Sequence, residues 1–179
     1  VSVVQFHPAT SYEDFFEGLR PVVTAAGQVT YKRTSGPLVA IAEKAAADPS
    51  HQYVLVIDEI NRANLPKVFG ELLFLIEDRT ESACTLYRPE EPFQLPVNLW
   101  FIATMNTADR SVALIDAAMR RRFHFVPFFP HEGPMKNLLR RWLGGGGGRA
   151  GVADLLDAVN QELLSLVGEH LLIGPSHFM

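Results

Sequence analysis

Two adjacent carboxylates, Asp58 and Glu59, follow four apolar residues in the stretch VLVIDEIN at 54–61. An unbroken apolar run rich in β-branched residues reads as a parallel-sheet strand, buried on both faces. Burying two carboxylates inside such a sheet would be very costly. They are therefore expected at the strand's carboxyl end, where open α/β sheets place their ligands. There the two acids can divide labour, one holding Mg²⁺ directly or through water and the other orienting or deprotonating an attacking water. A second polar cluster, Asn106 with Asp109, follows a second apolar run at 99–104. An asparagine at that tip can hydrogen-bond the same water or a phosphate oxygen, or it can cap a helix. Arg120, Arg121 and Arg122 are a third group. They suit a solvated helix end that complements the macrodipole, or phosphate, including phosphate bound by a neighbouring subunit.

Such chemistry needs two strand tips on one edge, and the flanking pattern supplies the elements. A short β run at 2–6 stops at Pro8, and an ordered loop with a helical turn is expected over 11–21. Residues 29–33 read as one arm of a hairpin, and a helix then starts near Pro37 with Leu38, Ile41, Ala42 and Ala45 on one face. Asn64 caps a predicted helix whose stripe is Leu65, Val68, Phe69, Leu72, Leu73 and Ile76. Residues 85–87 and 93–95 suggest a hairpin before the strand at 99–104, after which a helix would turn Leu114, Ile115 and Ala118 inward. A further short strand is expected at 124–126. Beyond it come two amphipathic helices, one with Met135, Leu138, Leu139 and Trp142, the other with Val152, Leu155, Leu156, Val159, Leu163, Leu166 and Val167. The glycine run 144–148 between them can only be a connector. The expected architecture is an α/β core over 1–129 and a small helical subdomain over 130–179.

With 179 residues, 16 Lys and Arg against 20 Asp and Glu, and a net charge of −4, the chain suits one domain with a small appendage. No predicted helix carries a basic stripe, so direct nucleic-acid contact is not expected. The single Cys84 rules out an internal disulfide framework and fits a reducing compartment. No apolar run approaches a membrane span, and a cytoplasmic location is expected. The chain opens on a strand-like run without Met, as a piece of a longer protein would.

The chain resembles the AAA+ NTPase domain of the McrB family, the motor subunit of modification-dependent restriction systems. VLVIDEINRANLPKVFGELL at 54–73, MNTADRS at 105–111 and RRRF at 120–123 are similar to that family's Walker B, sensor I and arginine-finger segments in order and spacing. QFH at 5–7, SYEDF at 11–15 and Ile173-Gly174 extend the likeness over nearly the whole chain. The resemblance implies a three-layer AAA+ core seen from its second strand onward, followed by a helical lid. It implies Asp58 as the Mg²⁺ residue, Glu59 as the residue that polarises water, Asn106 as sensor I, and Arg121 and Arg122 acting in trans on nucleotide of the next subunit. Asp109 lies in an NTAD tetrapeptide likened in this family to the guanine-reading element of GTPases, so the nucleotide would be ATP or GTP. A homo-oligomeric ring and a partner nuclease subunit are likewise implied. Two departures stand out. No GxxxxGK[ST] occurs in these residues, so the phosphate-cradling loop is expected upstream in a parent protein, with this chain inactive alone. GPSHF at 174–178 carries no arginine that could serve as sensor II. The alternative to an enzyme part is a regulatory module that keeps the AAA+ shell without turnover.

Overall fold

The computed structural model describes residues 1–106, 117–144 and 150–179. It divides into two compact units, Val1–Phe123 and His124–Met179. In chain order the first holds β1 (Ser2–Gln5), α1 (Tyr12–Phe15), β2 (Glu17–Val23), β3 (Val29–Ser35), α2 (Pro37–Ala47) and β4 (Tyr53–Asp58). These are followed by α3 (Leu65–Phe69), α4 (Leu72–Glu77), β5 (Ala83–Thr85), β6 (Arg88–Phe93), β7 (Leu99–Ala103) and α5 (Ala117–Arg120).

The sheet is parallel, in the order β1-β4-β7, so the two apolar runs are adjacent strands as their sequence predicts. Val56 pairs with Val3 on one side and Ile102 on the other, and Val54 pairs with Trp100. Burial on both faces, expected from the unbroken apolar run, is found on one only among the described residues. Leu55, Ile57 and Leu99 are buried on the face that α2 contacts, whereas Val3, Trp100 and Ile102 opposite are exposed. The core is closed by edge-on aromatics: Phe6 and Phe69 each stand against Phe15, the nearer pairs at 5.1 Å, and Phe16 meets Phe93 at 4.8 Å.

Three local expectations are corrected. The helical turn expected within 11–21 is present at Tyr12–Phe15, capped reciprocally by Ser11 and Asp14, but the rest is no loop: the chain runs straight into β2, the partner strand of β3. The single helix expected from Leu65 to Ile76 is two, because Gly70 takes φ +49° and re-aims the chain while leaving the apolar stripe inward. Residues 124–126 form no strand: Pro127 and Pro130 follow at once, and a β run without a hydrogen-bonded neighbour is not a strand.

The second unit holds α6 (Leu138–Gly144) and α7 (Ala150–Val167). Leu139, Ala153 and Leu156 form its small core, and Arg140 bridges to Asp154 and Asp157, each at 2.8 Å. Leu155, Leu166 and Trp142, expected inward, are exposed. Leu156 is buried as expected, and the inward line of α7 also takes in Ala153 and Asn160, whose amide makes two hydrogen bonds with the backbone of Ile173. Most of the glycine run, and the helix positions Leu114 and Ile115, lie outside the described residues. Among the described residues no helix is long and apolar enough to cross a membrane.

Candidate functional site

The carboxyl edge of β4 and β7 is where the acidic pair emerges. Ile60 N–H donates to the Thr104 carbonyl and Thr104 N–H to the Ile57 carbonyl, both at 2.9 Å, which carries the two strand tips past the end of the sheet ladder. Glu59 then leaves the extended conformation for φ 55°, ψ 45°. That left-handed geometry costs a non-glycine residue about 1–2 kcal/mol, and it persists only where surrounding contacts enforce it. Here the enforcing group is the Thr104 hydroxyl. It accepts from Glu59 N–H at 3.2 Å and donates to Asp58 Oδ1 at 2.5 Å.

The other Asp58 oxygen is held from the opposite strand. Gln5 lies level with Asp58 in the β1–β4 register, and its side-chain amide donates to Asp58 Oδ2 at 3.1 Å. Both carboxylate oxygens are thus fixed by neutral donors, and each keeps an acceptor site. That arrangement fits a hard divalent cation, which takes oxygen ligands. Glu59 presents a different surface. Its Oε2 is buried and accepts no hydrogen bond among the described residues. Arg62 Nε lies 3.2 Å away, close enough for coulombic attraction but not aligned to donate. A buried carboxylate oxygen with acceptor capacity to spare is what a water-orienting or water-deprotonating group requires.

Asn106 is exposed at the end of β7 and joins the site through its backbone, its carbonyl accepting from Asn61 Nδ2 at 3.2 Å. Asn61 itself is buried, and its Oδ1 accepts no hydrogen bond among the described residues. The arginines divide. Arg121 is exposed at the end of α5. Arg122 is only 12% exposed: its Nε donates to the Leu73 carbonyl at 2.9 Å and its guanidinium pairs with Glu77 at the end of α4. Asp109 lies outside the described residues.

Sequence reasoning did not find Gln5, Thr104 or Asn61 as site residues. Gln5 carries no signal without the strand register. Thr104 and Asn61 were in view beside Asn106 and Glu59, and a hydroxyl or amide at a strand tip is the signal that could have selected them. No GxxxxGK[ST] phosphate-cradling loop occurs in these 179 residues.

A family model described as the AAA domain, dynein-related subfamily, matches residues 1–123. The type IV methyl-directed restriction enzyme EcoKMcrB subunit of Escherichia coli strain K12 is 38% identical over 189 aligned positions, which cover 99% of this chain and 40% of that protein. The type II restriction enzyme BsuMI component YdiS of Bacillus subtilis strain 168 is 29% identical over 133 positions, covering 65% of this chain and 37% of that one. The chain therefore spans well under half the length of either relative.

Proposed function

The chain belongs to the AAA domains of the dynein-related subfamily, and from that premise we propose that it is the Walker B to lid portion of an oligomeric, Mg²⁺-dependent nucleoside triphosphatase of the McrB type. The observation that carries the reading is the linkage of Asp58, Glu59 and the β7 tip through one hydroxyl, that of Thr104, at the carboxyl edge of two adjacent parallel strands.

In this reading Asp58, held by Thr104 and Gln5, would hold Mg²⁺ directly or through water, and the ion would supply charge neutralisation for the phosphates. Glu59 orients and deprotonates the attacking water through its unsatisfied Oε2. Asn106 donates to that water or to a phosphate oxygen. Asp109 is assigned to the nucleobase, ATP or GTP. Arg121 serves the neighbour's nucleotide in trans. Arg122 shares that role by resemblance, but its bonds to Leu73 and Glu77 make it first a pin for α4. The relatives are a subunit and a component of restriction enzymes, and a ring of identical subunits that works with a nuclease partner is the assembly we assign. Residues 130–179, within the unit His124–Met179, would be the lid.

Turnover further requires the phosphate cradle, so the test uses a protein that carries one together with these residues. Glu59→Gln keeps size and hydrogen bonding but loses the base. Nucleotide should bind as before while turnover falls by roughly 10²-fold or more. Unaltered turnover would remove Glu59 from the chemistry.

A further inference from the structure

We propose that His131, Glu132 and Glu169 form a binding site for a borderline divalent cation of the Zn²⁺ class, which clips the loop before α6 to the turn after α7. All three residues lie in the unit His124–Met179, and the site does not depend on the triphosphatase reading.

Local structure brings the two segments to fixed positions. In the loop, Glu132 N–H donates to the Phe129 carbonyl at 3.1 Å, and the Glu132 carbonyl accepts from Met135 N–H at 3.2 Å. The backbone that carries His131 and Glu132 is therefore tied on both sides. At the other segment α7 stops at Val167, and Gly168 takes φ +86°, an angle that favours glycine and turns the chain into the short helical turn Glu169–Leu171. Phe129 joins the segments. Its ring stacks on His131 with centroids 6.0 Å apart and meets the ring of His170 edge-on at 5.9 Å.

Three ligand atoms converge as a result. His131 Nε2 lies 3.4 Å from Glu132 Oε1 and 3.7 Å from Glu169 Oε1. One ligand atom from each of the three residues lies within 4.8 Å of the other two. Atoms bound to a tetrahedral Zn²⁺ at about 2.0–2.2 Å stand roughly 3.3–3.6 Å from one another. Two of the three edges thus have nearly that length already. The third joins the two carboxylates, an edge that like charge holds open and a shared cation closes.

The histidine ring is a separate observation. Its Nδ1 is buried and has no hydrogen-bond partner among the described residues, so the ring can offer only Nε2. That nitrogen is the one facing both carboxylates. The side chains of Glu132 and Glu169 are 53% and 46% exposed, which leaves a path for the cation and for water in a fourth position. One imidazole nitrogen with two carboxylate oxygens suits Zn²⁺, whereas Mg²⁺ prefers oxygen ligands alone in near-ideal octahedral geometry. Glu169 is far from His131 along the chain, so a bound cation would close a long loop and couple its binding to folding of this unit.

Zn²⁺ titration of the metal-free 179-residue chain against a chromogenic chelator, beside differential scanning calorimetry, tests the site. One Zn²⁺ should bind per chain and raise Tm, and a large excess of Mg²⁺ should not compete. Losing an outer-shell partner of a metal ligand already costs about 10–100-fold in affinity. Glu132→Gln and Glu169→Gln each remove a ligand itself, so each should weaken Zn²⁺ binding at least about 10-fold, with an unchanged circular dichroism spectrum because both side chains are exposed. Cys84→Ser should bind as the unaltered chain does. Nitrogen-15 NMR should show Zn²⁺ shifting His131 Nε2 while Nδ1 keeps its proton. Absence of saturable binding, unchanged affinity in the glutamine variants, loss of binding in Cys84→Ser, or Mg²⁺ competing on equal terms would each overturn the inference.

Discussion

Thr104 separates the geometry of the acidic pair from its charge. Thr104→Val keeps shape but removes the hydroxyl that both Asp58 and the Glu59 backbone use. The site is exposed enough for water to replace much of the lost bonding, so stability should change by less than about 1 kcal/mol. Turnover in a cradle-bearing protein should nonetheless fall roughly 10-fold or more, because small misplacements of catalytic groups are costly, and Thr104→Ser should restore most of it. Steady-state kinetics of the two variants decide the point; equal loss in both would sink it. A second residue-scale prediction concerns the turn after α2, where His51 Nδ1 lies 2.8 Å from Asp48 Oδ2. Hydrogen bonding to His51 holds the Asp48 carboxyl down at about 2, and hydrogen bonding to Asp48 raises His51 above its ordinary 6.5. The raised histidine stabilises the fold fully below pH 6.5, and that share is lost as pH climbs through its folded value. The depressed aspartate stabilises above its ordinary 3.8, and that share is lost as pH falls toward 2. Both are present together only between those limits, in mildly acid solution. In Asp48→Asn the His51 imidazole should titrate nearer 6.5, as proton NMR would record. At this scale the placing of Asp58, Glu59 and Asn106 at the strand tips was legible in the sequence, whereas the hydrogen bonds that Gln5 and Thr104 make to the acidic pair were not, because a hydrogen bond between strands depends on register.

Among the elements, the root of the hairpin is the most exacting. Gly36→Ala would drive a Cβ against the Phe15 carbonyl carbon and oxygen at 2.6 and 2.5 Å, backbone atoms that cannot step aside as a side chain can. Overpacking of that kind costs about 1–3 kcal/mol, and urea unfolding should show a loss in that range, with β2 and β3 re-angled where they leave α1. A fully stable Gly36→Ala would mean that this close approach is not a constraint. The same region explains why β2 was not foreseen. Residues 17–23 include Pro21 and alternate poorly, so local propensity argues against a strand, and it is pairing with β3 that makes them one. Gly70 is the converse case: its apolar neighbours keep helical spacing across a break that only the backbone angle reveals.

At the level of the whole molecule, a trans arginine has meaning only between copies. Arg121 is exposed, whereas Arg122 is engaged with α4, so Arg121→Ala is the cleaner probe of assembly. In a cradle-bearing protein it should spare nucleotide binding and reduce turnover by about 10³-fold or more, far beyond the effect of losing a solvated charge. Mixing Arg121→Ala subunits with Glu59→Gln subunits should then recover activity, since an Arg121 from the second completes a site whose Glu59 belongs to the first. Mixed oligomers without recovery would assign Arg121 a role within its own subunit.

The sequence alone was enough for the parallel strands, the acidic pair at their carboxyl end and the AAA-domain family, because those rest on local apolar patterning and on motifs read within a few residues. Tertiary structure decided what depends on contacts between distant segments. It left Val3, Trp100 and Ile102 exposed among the described residues, paired β2 with β3, turned Arg122 onto the end of α4 and gave Asp58 the amide of Gln5. The physical reason is the same in each case. Apolar spacing reports which side of an element is buried, but strand register and backbone angles at single residues such as Glu59 and Gly70 decide which polar groups meet, and those are settled by the summed packing of the fold.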